Sequence, residues 1–356
     1  MEIFWSIVLV FMLTMFILLD GADMGAGIIH LFVAKNEDEK QRIIRAIGPF
    51  WDGNEVWLIA AGGVMFFAFP TLYASAFSGF YLPLIMVLWL LIFRAIGLEF
   101  RNLVANNLWK TAWDKAFGWA SLLLTVFLGA ALGNVVRGVN LGMVANGEAQ
   151  HEAIYFFNPL WNDNFSPLND HPGILDWFTV ILSLVAAVTL TIHGAHWIIF
   201  KTQSSLNQRL KKLVVRLNGV LALLVILSLF AWLVVRPDAL DNYYQHPWLW
   251  IFPLLMLLAL GVMFRVPALK KDWQPFAVSS LFIISAFGST AGALFPNLLP
   301  SRNNHFPSLT IYNASADAYG LEVGLIWWLI ALVLVAAYFF YVHKIFAGKM
   351  DDVEYH

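Results

Sequence analysis

Long apolar runs alternate with short polar breaks along the whole chain. A helix that crosses a bilayer needs about 20 mostly apolar residues. Nine stretches fit: 3–33, 50–69, 77–100, 117–137, 174–200, 213–235, 247–265, 275–296 and 320–345. The pattern predicts an all-α polytopic membrane protein with about nine transmembrane helices. It reads as a single transmembrane domain over 1–356. Two halves, 1–137 and 174–296, would each form a four-helix bundle, with a peripheral ninth helix at 320–345. The first and fifth stretches are the longest and are expected to tilt or project. Between the halves lies the polar loop 138–173, rich in Asn, Asp and Pro, expected to pack over the helices or against a partner.

Charge supplies the orientation, because short cytoplasmic loops carry an excess of Lys and Arg. On alternating sides, sixteen of the 21 basic residues fall in one set of loops, from Lys35 to Lys349. Only Arg137, Arg236 and Arg302 fall in the other, while Arg94 and Arg216 lie inside helices. The N-terminus is therefore expected outside, the C-terminus in the cytoplasm, and the number of spans odd. Met1-Glu2-Ile3-Phe4-Trp5 has no basic lead and no small-residue cleavage site, so it reads as the start of a retained helix.

Composition agrees with a membrane class. Hydrophobic residues make up 60% and charged residues 12%, against roughly 25% charged in soluble globular chains. The formal net charge is -2, and no polybasic run suits nucleic acid. Cysteine is absent, which excludes disulfides, thiolate metal sites, iron–sulfur clusters and covalent c-type haem attachment.

Against this background the ionisable groups stand out. Asp20 and Asp23 are three apart in the inner half of helix one and share a face. Asp52 and Glu55 repeat that spacing in the first turns of helix two, within about 10 Å of the inner surface at 1.5 Å per residue. Arg94 and Glu99 lie in the inner third of helix three. An intramembrane acid is by default a functional-site hypothesis, and grouped carboxylates with an arginine suit a proton entry path. These six residues are the proton-pathway candidates.

Structural readings stand beside that one. Pro49 suits a first helical turn, where Asp52 and Glu55 would stabilise the helix dipole. Asp20-Gly21-Ala22-Asp23 could be a close-packing segment whose acids pair with Arg94. His193 and His196, three apart on helix five, could serve a metal or haem with partners from elsewhere. They could equally make hydrogen bonds near a helix end or sit at a subunit contact. Trp51 and Trp57 flank the acid pair and could wall it from water or simply pack. With the two histidines they are the subunit-interface candidates, and no metal site is expected. Asp20-Gly21-Ala22-Asp23 and His193-Gly194-Ala195-His196 form a weak echo four spans apart, which fits an internal repeat and also fits chance. His30, His151, His171, His246, His305, His343 and His356 lie at helix ends, in loops or near the terminus. Asn297, Arg302, Asn303, Asn304 and Asn313 make 297–319 polar, which suits a docking surface better than a catalytic one.

Several runs carry a family likeness: Leu19-Asp20-Gly21-Ala22-Asp23-Met24-Gly25-Ala26-Gly27, Gly48-Pro49-Phe50-Trp51-Asp52-Gly53-Asn54-Glu55-Val56-Trp57 and Phe77-Ser78-Gly79-Phe80-Tyr81. Phe93-Arg94, Glu99-Phe100-Arg101, Ser279-Ser280-Leu281, Ala291-Gly292 and Phe295-Pro296 add to it. In their order and spacing the chain resembles subunit II of the cytochrome bd ubiquinol oxidases, with Ala22 where members often carry Phe.

The resemblance implies a non-haem subunit packed against a companion subunit I, which would hold two haem b and one haem d. It implies oxidation of a quinol and reduction of O2 to water, a single-helix accessory peptide, a possible structural quinone and contact with membrane lipid. Asp52 would stand at the subunit interface on a proton route. The implied location is the bacterial cytoplasmic (inner) membrane. The alternatives are a proton-coupled membrane transporter, since acids and glycines also mark transport sites, and a pure scaffold.

Overall fold

The computed structural model describes residues 1–145, 148–151, 160–169, 172–266, 269–302 and 306–350, with side chains omitted over 143–151. His171, His305, His356, Asn303, Asn304 and the side chain of His151 lie outside the described residues.

Helices dominate. They are α1 (Glu2–Phe32), α2 (Glu37–Ile47), α3 (Trp51–Ala68), α4 (Pro70–Gly79), α5 (Tyr81–Phe100), α6 (Asn107–Arg137), α7 (Trp177–Lys201), α8 (Ser205–Val235), α9 (Asp241–Gln245), α10 (Ile251–Met263), α11 (Gln274–Leu294) and α12 (Ala318–Ile345). Two small antiparallel pairs lie in connections: β1 (Gly142–Ala145) with β2 (Glu148–His151), and β3 (Asn297–Leu299) with β4 (Leu309–Thr310). Among the described residues seven helices are long and apolar enough to cross a membrane, or up to eight if one bent pair counts as a span. α3 falls short by composition because Asp52, Asn54 and Glu55 occupy its first turns.

The breaks differ from the sequence expectation for local reasons. The stretch 77–100 does not form one helix. Pro70 opens α4, which stops at Gly79, and α5 begins at Tyr81. The stretch 247–265 forms one segment, Pro247–Met263, but a shorter helical piece, Pro237–Gln245, precedes it and meets it at 115°, as proline removes a helical donor and clashes with the preceding turn. The fourth helix starts ten residues earlier than expected, where Asn106 accepts from the backbone of Leu108 (2.8 Å) and Trp109 (3.3 Å).

Sequence periodicity missed α2 because its residues are mostly polar. Asn36 caps it by accepting from Glu39 N at 2.9 Å, and Glu37, Asp38 and Glu39 fill its first turn, where acids favour the helix dipole. Its buried face of Ile43, Ile44, Ala46 and Ile47 lies against the bundle, and Trp197 donates to the Ala46 carbonyl at 2.9 Å.

α1 sits centrally, packed on α3, α6 and α7; α5 packs on α6, α7 on α8, and α10 on α11. α12 is peripheral and buries only Leu321 among its described residues. It is tied at its ends. Trp5 donates to the Leu321 carbonyl at 3.2 Å, Lys201 to the Phe346 carbonyl at 2.6 Å, and Lys349 to those of Ile199 (2.9 Å) and Thr202 (3.0 Å). The described part of the outer loop is pinned by buried Arg137, which donates to the Gly173 carbonyl at 2.8 Å and to the Asp176 carboxylate.

Candidate functional site: an acid cluster shared by three helices

Gly48-Pro49-Phe50 turns the chain into α3, and Phe50 anchors the turn by packing edge-on against Trp197 at 5.3 Å. The first turn of α3 then lies beside the inner half of α1. Asn54 Nδ2 donates to Asp23 Oδ2 at 2.8 Å. From α5, Arg94 Nη1 donates to Asp20 Oδ1 at 2.5 Å and Nη2 to Glu55 Oε2 at 3.1 Å. Asp20 and Arg94 have no exposure, and Asp23 and Asn54 are buried. One guanidinium thus faces three carboxyl groups on α1 and α3. Asp20 Oδ2, Arg94 Nε and Asn54 Oδ1 are buried without a hydrogen-bond partner. Such atoms are rare in folded proteins, and three in one cluster mark it as more than a packed ion pair.

Of the six acid-path candidates, Asp20, Asp23, Glu55 and Arg94 come together. Glu99 is exposed and lies about 140° around α5 from Arg94, five residues being nearly a turn and a half. Asp52 is exposed too. It lines a groove of about 670 Å³ between α1, α3 and α12, with Trp57, Tyr338 and Phe339. Trp57 is buried against Phe11 (5.8 Å) and Phe339 (5.5 Å), and Trp51 is half-buried on the core.

His193 and His196 do not reach a surface where a partner could touch them; both are fully buried in this chain. Of the two, only His196 keeps a ring nitrogen, Nε2, without a hydrogen-bond partner; His193 does not fit a haem. His193 commits Nδ1 to Ser279 Oγ (2.8 Å) and Nε2 to the Leu18 carbonyl (2.8 Å), while His196 Nδ1 takes the same hydroxyl at 3.0 Å. Iron ligation needs a free imidazole lone pair, and His193 has none. Among the described residues no group of three His, Cys, Asp or Glu could hold a metal ion.

Two features escaped the sequence reading. Asn54 belongs to the cluster, and its only signal was an amide in an apolar segment. A second network lies at the basic end of the helices. Asp114 accepts from His30 (2.7 Å), Lys40 (2.8 Å) and Arg101 (2.5 Å), and Arg101 also reaches Glu37 at 2.8 Å. It exists because α2 folds back, which helical periodicity along α1 and α6 does not announce. Nearby, buried Glu39 accepts from Arg209 (2.5 Å) and Lys35 N (2.8 Å). Burial alone would raise the Glu39 carboxyl, but these donors outweigh it and hold it below the usual carboxylate range.

The fold defines a multi-pass α-helical membrane protein, and three of its helices share a largely buried acid cluster. The family model for cytochrome bd terminal oxidase subunit II matches residues 1–346, and the chain belongs to that family. It is 30% identical to the cytochrome bd-I ubiquinol oxidase subunit 2 of Escherichia coli, over 93% of this chain and 89% of that one. It is 26% identical to a probable cytochrome oxidase subunit 2 of Haemophilus influenzae, over 98% and 94%. The bd oxidase structure from Geobacillus thermodenitrificans superposes with a TM-score of 0.72 at 18% identity, covering 97% of this chain and 98% of its own. The chain is thus one subunit of a haem-containing oxidoreductase complex that includes a partner subunit I, in the bacterial inner membrane. Membership favours the oxidase-subunit reading over the transporter.

Proposed function

We propose that this chain stabilises the haem-bearing subunit I and helps carry protons from the cytoplasm to the site of oxygen reduction there. Subunit I would hold two haem b and one haem d, with a quinol as electron donor and O2 as acceptor. A single-helix accessory peptide, a structural quinone and surrounding lipid would complete the assembly. The chain itself would contribute no redox centre.

One observation carries the proton reading: Arg94 bridges Asp20 and Glu55 while Asn54 holds Asp23, in one cluster that is buried except at half-buried Glu55. Three carboxyls around one guanidinium offer more acidic oxygen than pairing requires. The unpartnered Asp20 Oδ2, Arg94 Nε and Asn54 Oδ1 supply further hydrogen-bonding positions. By the excess of Lys and Arg in one set of loops the cluster would face the cytoplasm, the source of protons for water formation. Asp52 would form the exposed entry at the groove beside α12, next to subunit I.

The test is Asp52→Asn in the purified oxidase, with quinol-driven oxygen consumption and haem content measured together. Slowed turnover with intact haems supports the entry role. Normal turnover with intact haems removes Asp52 from the route, and haem loss makes its role structural.

A further inference from the structure

α1 presents two sides. Leu18, Ala22 and Gly25 share one at helical spacing, and Asp20 and Asp23 lie on the opposite one. The first side meets α7. A side-chain carbon on Gly25 would stand 1.9 Å from the Leu190 carbonyl oxygen, and one on Gly194 would stand 2.4 Å from Ala26 N. The two backbones therefore touch, and glycine at both positions permits it. The motifs that echo one another in sequence, Asp20 to Asp23 and His193 to His196, lie at this crossing.

Glycine contact fixes how closely two helices approach but offers little resistance to sliding. His193 supplies that resistance. Its Nε2 is 2.8 Å from the Leu18 carbonyl oxygen. A carbonyl only accepts, so Nε2 carries the hydrogen, and the neutral ring then accepts the Ser279 hydroxyl proton at Nδ1, 2.8 Å away. That single proton is then spent. His196 Nδ1 must donate to the same oxygen at 3.0 Å, and the 3.1 Å approach of Ser279 Oγ to the Phe276 carbonyl is left unbonded. The His193 ring also stacks on Phe276 at 4.5 Å. Ser279 and Phe276 both belong to α11, so α11 braces the ring that holds α1.

Leu18 precedes Asp20 by two residues. A slip of α1 by one residue moves it about 1.5 Å along its axis, enough to break the bond to Leu18 and to displace Asp20 from Arg94. We propose that His193, braced by Ser279, is a positioning residue for the acid cluster: it sets the register of α1 and hence where Asp20 meets Arg94. The proposal rests on the proton-delivery reading above. The charged and titratable groups around Asp20 are Asp23 on its own helix, Glu55 on α3 and Arg94 on α5. α7 contributes the two histidines of the brace, on the far side of α1, and Lys201 in its last turn, which donates to the Phe346 carbonyl. On α6, Asp114 pairs with His30, ten residues further along α1.

The test uses the intact purified oxidase at matched haem content. His193→Phe keeps a ring against Phe276 and removes the donor to Leu18; His193→Gln keeps an N–H in reach of it. Asp20→Asn is the control for the underlying reading. His193→Phe should lower quinol-driven oxygen consumption about tenfold and displace its pH profile, Asp20→Asn should also change both, and His193→Gln should restore most of the parent behaviour. A parent-like rate and profile in His193→Phe, with both changed in Asp20→Asn, overturns the positioning role alone. An Asp20→Asn enzyme unchanged in both overturns the proton-delivery reading and this proposal with it. If His193→Phe does not assemble, Ser279→Ala takes its place: a displaced profile supports the brace, and an unchanged one overturns it.

Discussion

Arg94 on α5 donates to Asp20 on α1 at 2.5 Å, and neither side chain has any exposure. Taking two charges out of water is costly, and the pair offsets that cost only while both members are present. Arg94→Met should therefore destabilise the subunit by about 3–5 kcal/mol. Replacing Asp20 by Leu as well should recover part of the loss. Thermal unfolding of the purified complex reads both, and equal melting temperatures for parent and Arg94→Met would show that the pair contributes nothing.

The α1–α7 crossing gives a second expectation. Gly25→Ala would place its methyl 1.9 Å from the Leu190 carbonyl oxygen, a backbone atom that cannot rotate away. Forced overpacking costs about 1–3 kcal/mol, occasionally more. Yield and thermal stability should fall, whereas Gly63→Ala, which meets nothing within 4 Å in the isolated chain, should fold normally. Full stability of Gly25→Ala would mean that the helices can separate without loss.

A third concerns acid. Glu39 tethers α2 to α8 through Arg209 at 2.5 Å, and its carboxyl is held below its ordinary value of 4.5. A depressed folded value means that the unfolded state binds the proton first as pH falls. The contribution is complete above about 4.5 and is lost as pH drops through the lower folded value. Hydrogen exchange along residues 37–47 should accelerate below that point in the parent. In Glu39→Gln it should already be faster at neutral pH and less responsive to acid. Identical exchange in both proteins across that range would remove the tether.

The legible part of this architecture was the part written in long apolar runs. Asp20, Asp23 and Arg94 were conspicuous because charge inside a hydrophobic run has few bland explanations. Angular position was harder to read. Asp52 and Asn54 are two apart in sequence and about 200° apart around α3, so Asn54 meets Asp23 while Asp52 faces the groove. Glu99 drops out of the cluster for the same geometric reason. α2 and the Asp114 network were hidden because a short polar helix depends on its cap and on tertiary burial of four apolar residues. The roles of His193 and His196 depend on Ser279, 86 and 83 residues away, a distance that local spacing cannot encode.

The central claim is that cytoplasmic protons reach the oxygen-reducing site through the cluster around Asp20. The direct measurement is proton uptake from the cytoplasmic face of oriented proteoliposomes during a single oxygen turnover, comparing the parent oxidase with Asp20→Asn at equal haem content. Uptake should be markedly slowed in Asp20→Asn, with haem reduction by quinol unchanged. Uptake at the parent rate would contradict the account.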